Sequence, residues 1–288
     1  MDFASILIQT LNSVQYGLLL FLVASGLTLV FGIMGIINLA HGSFYMIGAY
    51  MAFVLTSVSG NLFIAIILGV PLAFALGVFL EWALFSHLYK RNHLEQVLLT
   101  YGLILIFEEL RSLFVGDDVH GVAIPSILDY SIQLSEVLSY PIYRIFISVV
   151  CIAIAIFLFF LIQRTKLGMM IRAGSFDRAM VQALGININM IYRVVFALGL
   201  VLAALAGMLA SPISSVYPNM GSQVLIISFV IVVIGGIGSV WGAFVAAMVI
   251  GFADTFGKVI FPEVSGMVVY LIMAAVLLWR PEGIFKRG

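Results

Sequence analysis

Charge is the scarcest property of this 288-residue chain: 9% of its residues are Asp, Glu, Lys or Arg, against about 25% in an ordinary soluble domain. Between Phe3 and Leu80 there is none at all, and a bilayer-crossing helix needs only about 20 mostly apolar residues. Water is thereby excluded as the solvent for most of the chain. Cysteine is nearly missing too: Cys151 stands alone in an apolar run, so an intrachain disulfide and a thiolate metal cluster are both excluded. No G-x-x-x-x-G-K-[ST] occurs to cradle ATP phosphates. His87, His93 and His120 are too scattered for metal-ligand spacing, and no Ser, His and Asp arrangement suggests a hydrolytic triad. The expectation is a chain with no catalytic residues, no metal and no cofactor of its own. A net charge of zero offers no general attraction to nucleic acid.

What the sequence has in abundance is long apolar runs. Lipid cannot hydrogen-bond a backbone, so such runs must be helices or a closed barrel, and the lack of apolar/polar alternation excludes the barrel. The predicted fold class is all-α, a polytopic transmembrane helical bundle of about 8–9 membrane segments. Spans are placed near residues 8–33, 36–58, 62–86, 95–115, 142–163, 192–213, 223–236, 240–258 and 264–280. The seventh is short and stops at Gly235, Gly236 and Gly238, which leaves a broken or re-entrant helix open. The start, Met1 to Gln15, lacks the basic region and cleavage site of a secretory signal, so the first apolar segment is expected to be retained.

Basic residues choose the orientation, because positively charged loops stay in the cytoplasm. Ten of the thirteen (Lys90, Arg91, Arg164, Lys166, Arg172, Arg178, Arg193, Arg280, Lys286 and Arg287) fall on one side, and the connector from Gly116 to Pro141 carries Asp117, Asp118, Asp129 and Glu136 with no Lys or Arg. The carboxyl terminus is expected inside, and nine spans then put the amino terminus outside; a re-entrant seventh segment would reverse that end. No connector is long enough for a soluble domain, so residues 1–288 are read as a single membrane domain with a cytoplasmic connector at about 164–191.

Three stretches carry the candidate sites. Asn38, His41 and Tyr45 sit at helical spacing in an apolar segment, with Gly48 and Ala52 extending the stripe, so one face is expected to hold a polar-then-small ridge. Such a ridge faces either a wet path or merely another helix. In the connector, Asp177 to Leu184 reads as a short helix between turns at Gly174 and Gly185; Ala179, Ala183 and Leu184 are candidates to pack on a partner, or to lie as a lid on the bundle itself. The run from Gly235 to Gly242 (GGIGSVWG) has the wrong spacing for a dinucleotide loop and reads as a helix break. Glu108, Glu109, Arg111, Asp254 and Lys258 lie near predicted span ends and read as a solvated rim.

The segments GLTLVFGIMGIINLAHGSFYMIGAY (26–50), RAGSFDRAMVQALGIN (172–187), VIGGIGSVWGAFVAAMVIG (233–251) and RPEGIF (280–285) together resemble the permease subunits of branched-chain amino acid ATP-binding-cassette importers, over nearly the whole chain. The resemblance implies a pore of two related permeases, two cytoplasmic ATPases that use ATP and Mg, and an extracytoplasmic substrate-binding protein, in a bacterial cytoplasmic (inner) membrane. It implies that residues 172–187, with Arg172, Asp177, Arg178, Ala179, Ala183, Leu184 and Gly185, engage an ATPase, and it leaves Asn38, His41, Ser43, Tyr45 and Gly48 as substrate-path candidates. Ser43 departs from the pattern, since some members carry an acidic residue there. Leu, Ile and Val are the default substrates; urea, amides or aromatic acids, and a stand-alone secondary transporter or channel, remain open alternatives.

Overall fold

A computed structural model describes residues 3–89, 91–135 and 138–285. Lys90, Glu136, Lys286 and Arg287, used above for orientation, lie outside the described residues. The chain is an all-helical bundle of α1 (Phe3–Met34), α2 (His41–Ser59), α3 (Leu62–Ala83), α4 (His93–Val115), α5 (Ile142–Arg164), α6 (Lys166–Phe176), α7 (Arg178–Ala183), α8 (Ile188–Ser214), α9 (Met220–Gly235), α10 (Val240–Ile260) and α11 (Ser265–Trp279). Among the described residues, α1, α2, α3, α5, α8 and α10 are long and apolar enough to cross a bilayer. This is a multi-pass membrane protein. At 16 and 15 residues, α9 and α11 are apolar but short, about 22–24 Å of helix against a hydrocarbon core of ~30 Å.

Helix starts are written by short polar side chains. Asn61, Asn92, Thr165, Asp177, Asn187 and Ser239 each immediately precede a helix and accept a hydrogen bond from a backbone N–H of its first turn. Inside the bundle, small residues set the spacing. A Cβ on Gly26 of α1 would stand 2.5 Å from the Gly199 carbonyl oxygen of α8, and one on Gly251 of α10 would stand 2.7 Å from the Gly17 Cα of α1. Lipid provides no hydrophobic drive between helices, so this close backbone contact is what holds them. α1 is buried on both sides: Leu18, Leu22 and Val23 join a core with α2, α5 and α8, while Leu20, Phe21 and Leu27 join a second core with α9 and α10. The outer faces of α3, α4 and α5 expose Ile67, Leu72, Leu105 and Phe157, as a surface against lipid should.

The two ends of the bundle are fixed by contacts between distant elements. At one end Arg178 meets the last turn of α1, Arg193 of α8 meets Glu81 of α3, and Ile284 N donates to Ile234 O at the end of α9 (2.8 Å). At the other, Tyr140 and Arg144 reach Asn12 of α1, and His120 pairs with Val216 beyond α8.

Three local expectations are corrected. The predicted helix at 36–58 begins only at His41, because Gly35 (φ +67°) ends α1 and the Asn38 side chain turns the chain by accepting from Ala40 N at 3.0 Å. Gly174 is no turn: α6 runs through it, with Gly174 buried beside Ile188, and the chain bends at Asp177 instead. The acidic connector carries an unforeseen antiparallel hairpin, β1 (Ser131–Ser135) with β2 (Leu138–Pro141), in which Ile132 faces Tyr140.

Candidate functional site

The predicted ridge is split between two settings. Asn38 is off the helix, buried in the α1–α2 break, so it does not share a helical face with His41 as expected. On α2, His41 is fully buried and its Nε2 donates to Val23 O of α1 at 3.0 Å. Ser43 is buried where α2 meets the start of α9, beside Gly221. Tyr45 presses its carbonyl against Gly207, and Gly48 lies so close to Ala204 that a Cβ would overlap the Ala204 backbone. His41, Tyr45 and Gly48 thus pack closely against α1 and α8. Thr28 Oγ1 of α1, Asn38 Nδ2 in the break and His41 Nδ1 of α2 are buried without a hydrogen-bond partner among the described residues.

The connector forms the second region. Asp177 caps α7 by accepting from Met180 N at 3.0 Å, and Gly185 (φ +79°) follows the helix in the left-handed region, so the short helix stands where it was placed. Val181 alone of α7 is buried; Ala179, Ala183 and Leu184 are exposed, and so are Phe176 and Met180. Arg172 donates to Ile162 O of α5. Arg178, one of the coupling candidates and itself exposed, bonds Ile33 O (3.1 Å) and Met34 O (2.6 Å) at the end of α1 and lies over the Tyr192 ring at 5.5 Å.

Beside it sits a cluster built around one buried carboxylate, drawn from residues far apart in sequence. Glu81 is fully buried, accepts from Tyr89 Oη, and pairs with Arg193 at 2.9 Å. Tyr89 packs edge-on against Tyr192 at 4.8 Å. Arg178, Tyr192, Tyr89, Glu81 and Arg193 thus form one chain of contacts from α7 to α3 and α8.

The third region is a cavity of about 560 Å³ at the opposite end, between α1, α2, α5, α8, α9 and α10. Of the five path candidates only Tyr45 lines it. Asn12, Arg144, Asp254 and Lys258 lie at its polar end, while Leu20, Val23 and Val224 line it deeper along their helices. Asp254 and Lys258, 2.6 Å apart, were expected on a solvated rim, but the Asp254 side chain is 12% exposed. Arg111 and Glu108 are likewise largely covered, packed at the end of α4 against Tyr50. Arg111 holds the Asp117 carboxyl below the usual carboxylate range through a 2.8 Å hydrogen bond, with a second from Ser112.

Comparison with known proteins places these features in a family. The profile described as "Branched-chain amino acid transport system / permease component" matches residues 9–277. The chain is 32% identical to the high-affinity branched-chain amino acid transport system permease protein BraD of Pseudomonas aeruginosa, over 97% of this chain and 95% of that one. It is 29% identical to LivH of Escherichia coli K12, a permease protein of the same description, over 99% and 97%. A probable branched-chain amino acid transport permease protein of Methanocaldococcus jannaschii is 27% identical over 95% and 90%.

Proposed function

The chain belongs to the branched-chain amino acid transport permease family, and from that premise we propose that it is the pore subunit of an ATP-binding-cassette importer for Leu, Ile and Val. In this reading residues 1–288 are one permease domain in a bacterial cytoplasmic membrane, paired with a second related permease. Two ATPases bind the inner face of the permease pair, one of them at α7 of this chain, and use ATP and Mg, and an extracytoplasmic binding protein delivers substrate to the outer face. The chain itself catalyses nothing.

The observation that carries the reading is α7. A six-residue helix held at the bundle end, with Met180 and Leu184 60% and 72% exposed and only Val181 buried, is a poor structure for an isolated chain and a good one for docking. Arg178 ties that helix to α1, and the tyrosine and Glu81 contacts tie it to α3 and α8, so a push on α7 has rigid elements to act on. Nine alternating crossings, with the amino terminus outside and the carboxyl terminus inside, bring α7 and the ends of α1, α3 and α9 to the cytoplasmic face and the cavity to the outer face.

The test is co-purification with two ATP-binding-cassette ATPases, a second permease and the binding protein, followed by uptake of radiolabelled leucine into vesicles. Uptake should require enclosed ATP and persist with a protonophore. Uptake that ignores ATP and collapses with the ion gradient would make the chain a secondary transporter.

A further inference from the structure

The outer-end cavity combines features that a simple water-filled opening does not need. Its volume of about 560 Å³ falls within the ~300–1,000 Å³ typical of small-molecule sites. Along α1 its lining passes from Asn12 through Tyr16 to Leu20 and Val23, so the cavity is polar at the mouth and aliphatic at depth. At the mouth Arg144, in the first turn of α5, is held by the neutral Asn12 Oδ1 at 2.7 Å and has no carboxylate partner among the described residues. Asp254 is mostly buried on α10, where Lys258, 60% exposed and 5.7 Å from the Tyr16 ring, donates to its Oδ2 at 2.6 Å and leaves Oδ1 without a hydrogen-bond partner among the described residues. A guanidinium with no carboxylate partner among the described residues and a carboxylate with one oxygen taken by Lys258 thus line one pocket together with Leu20, Val23 and Val224.

We propose that this cavity binds a single zwitterionic aliphatic α-amino acid, with Arg144 taking its carboxylate, Asp254 its ammonium group, and Leu20, Val23 and Val224 its side chain. The proposal rests on the importer reading and deepens it, giving the permease an amino-acid site of its own. A guanidinium matches a carboxylate through paired N–H donors, which a lysine in its place could not do. The charge pair also chooses among the substrates of related importers: urea and simple amides have no net charges for Arg144 and Asp254 to engage. Tyr45, one of the path candidates, borders the same space.

Equilibrium binding of radiolabelled leucine to the permease–ATPase complex in nanodiscs, without binding protein, tests the site. The wild-type complex should bind leucine saturably, and Arg144→Gln and Asp254→Asn should each weaken it about tenfold or more, the scale of a lost charge-assisted hydrogen bond. Because either variant could act through folding, ligand analogues supply the second readout. 3-Methylbutylamine, which lacks the carboxylate, should compete far worse than leucine on the wild type, and that disadvantage should shrink on Arg144→Gln but not on Asp254→Asn. Val224→Phe, which fills the floor, should weaken leucine more than alanine. The proposal is overturned if a preparation that imports leucine with ATP shows no saturable binding, or if the analogue penalty is the same in all three proteins. Absence of ATP-dependent leucine import by the wild-type assembly would instead sink the importer reading itself.

Discussion

The Arg178 guanidinium lies 2.6 Å from the Met34 carbonyl oxygen, joining residues 144 positions apart and closing the open C-terminal end of α1 with a positive charge. The last carbonyls of a helix lack partners and carry its negative dipole end, so a cation there is doubly favourable. Gly35, whose added Cβ would stand 3.1 Å from Arg178 Nη2, leaves room for the approach. Arg178→Ala is therefore expected to leave ATPase association intact while lowering leucine uptake about tenfold, a loss of ~1.4 kcal/mol in coupling. Arg178→Lys should recover only part, because one ammonium replaces a fork reaching two carbonyls. Co-purification and vesicle uptake measured together check this; loss of ATPase association by Arg178→Ala would place the residue in the docking surface instead.

Glu81→Gln should destabilise the protein by about 1.5–3 kcal/mol, since the neutral amide keeps one acceptor oxygen where Tyr89 and Arg193 used two and removes the charge paired with Arg193, which is 38% exposed. Thermal unfolding in detergent, run as a double-mutant cycle with Arg193→Met, is the measurement. Additive effects of the two substitutions would show that the pair is not coupled.

Gly48→Leu forces a side chain into the Ala204 backbone, and overpacking of this kind costs about 1–3 kcal/mol or more. The expected outcome is loss of folded protein and of assembly, with even Gly48→Ala showing a lowered unfolding midpoint. Normal stability of Gly48→Leu with selectively reduced uptake would return Gly48 to the substrate path.

Cys151, the sole cysteine, is fully buried in α5, so single-cysteine labelling has no competing thiol. A membrane-impermeant maleimide added to intact cells should label Asp129→Cys and spare Leu184→Cys, with the reverse pattern in inverted vesicles stripped of ATPase. Labelling of Leu184→Cys from outside would invert the topology.

These residues also mark what the sequence makes legible. The bundle is readable because membrane spans are local: an uncharged run, a Gly or Asn stop, and a cap such as Asp177 or Asn187 lie within a few residues of one another. The break at Gly35 to Ala40 was missed because apolar spacing continues through it, while the turn depends on a left-handed glycine and one Asn38 hydrogen bond. Arg178 looks like any solvated connector arginine until α1 is brought beside it. Glu81 and Arg193 are 112 residues apart, and the cavity draws on six helices, so no local pattern announces either. Span-end charges such as Asp254 and Arg111 read as solvated because sequence alone does not show which neighbours cover them.

The most direct measurement places Ala183→Asp, an exposed position on α7, in the reconstituted importer and follows ATP hydrolysis and leucine uptake in the same vesicles. A charge in the centre of the docking face should abolish binding-protein-stimulated hydrolysis and uptake together, with insertion and pairing of the two permeases unchanged. Full transport by that variant would contradict the assignment of α7 as the contact through which ATP hydrolysis moves the pore.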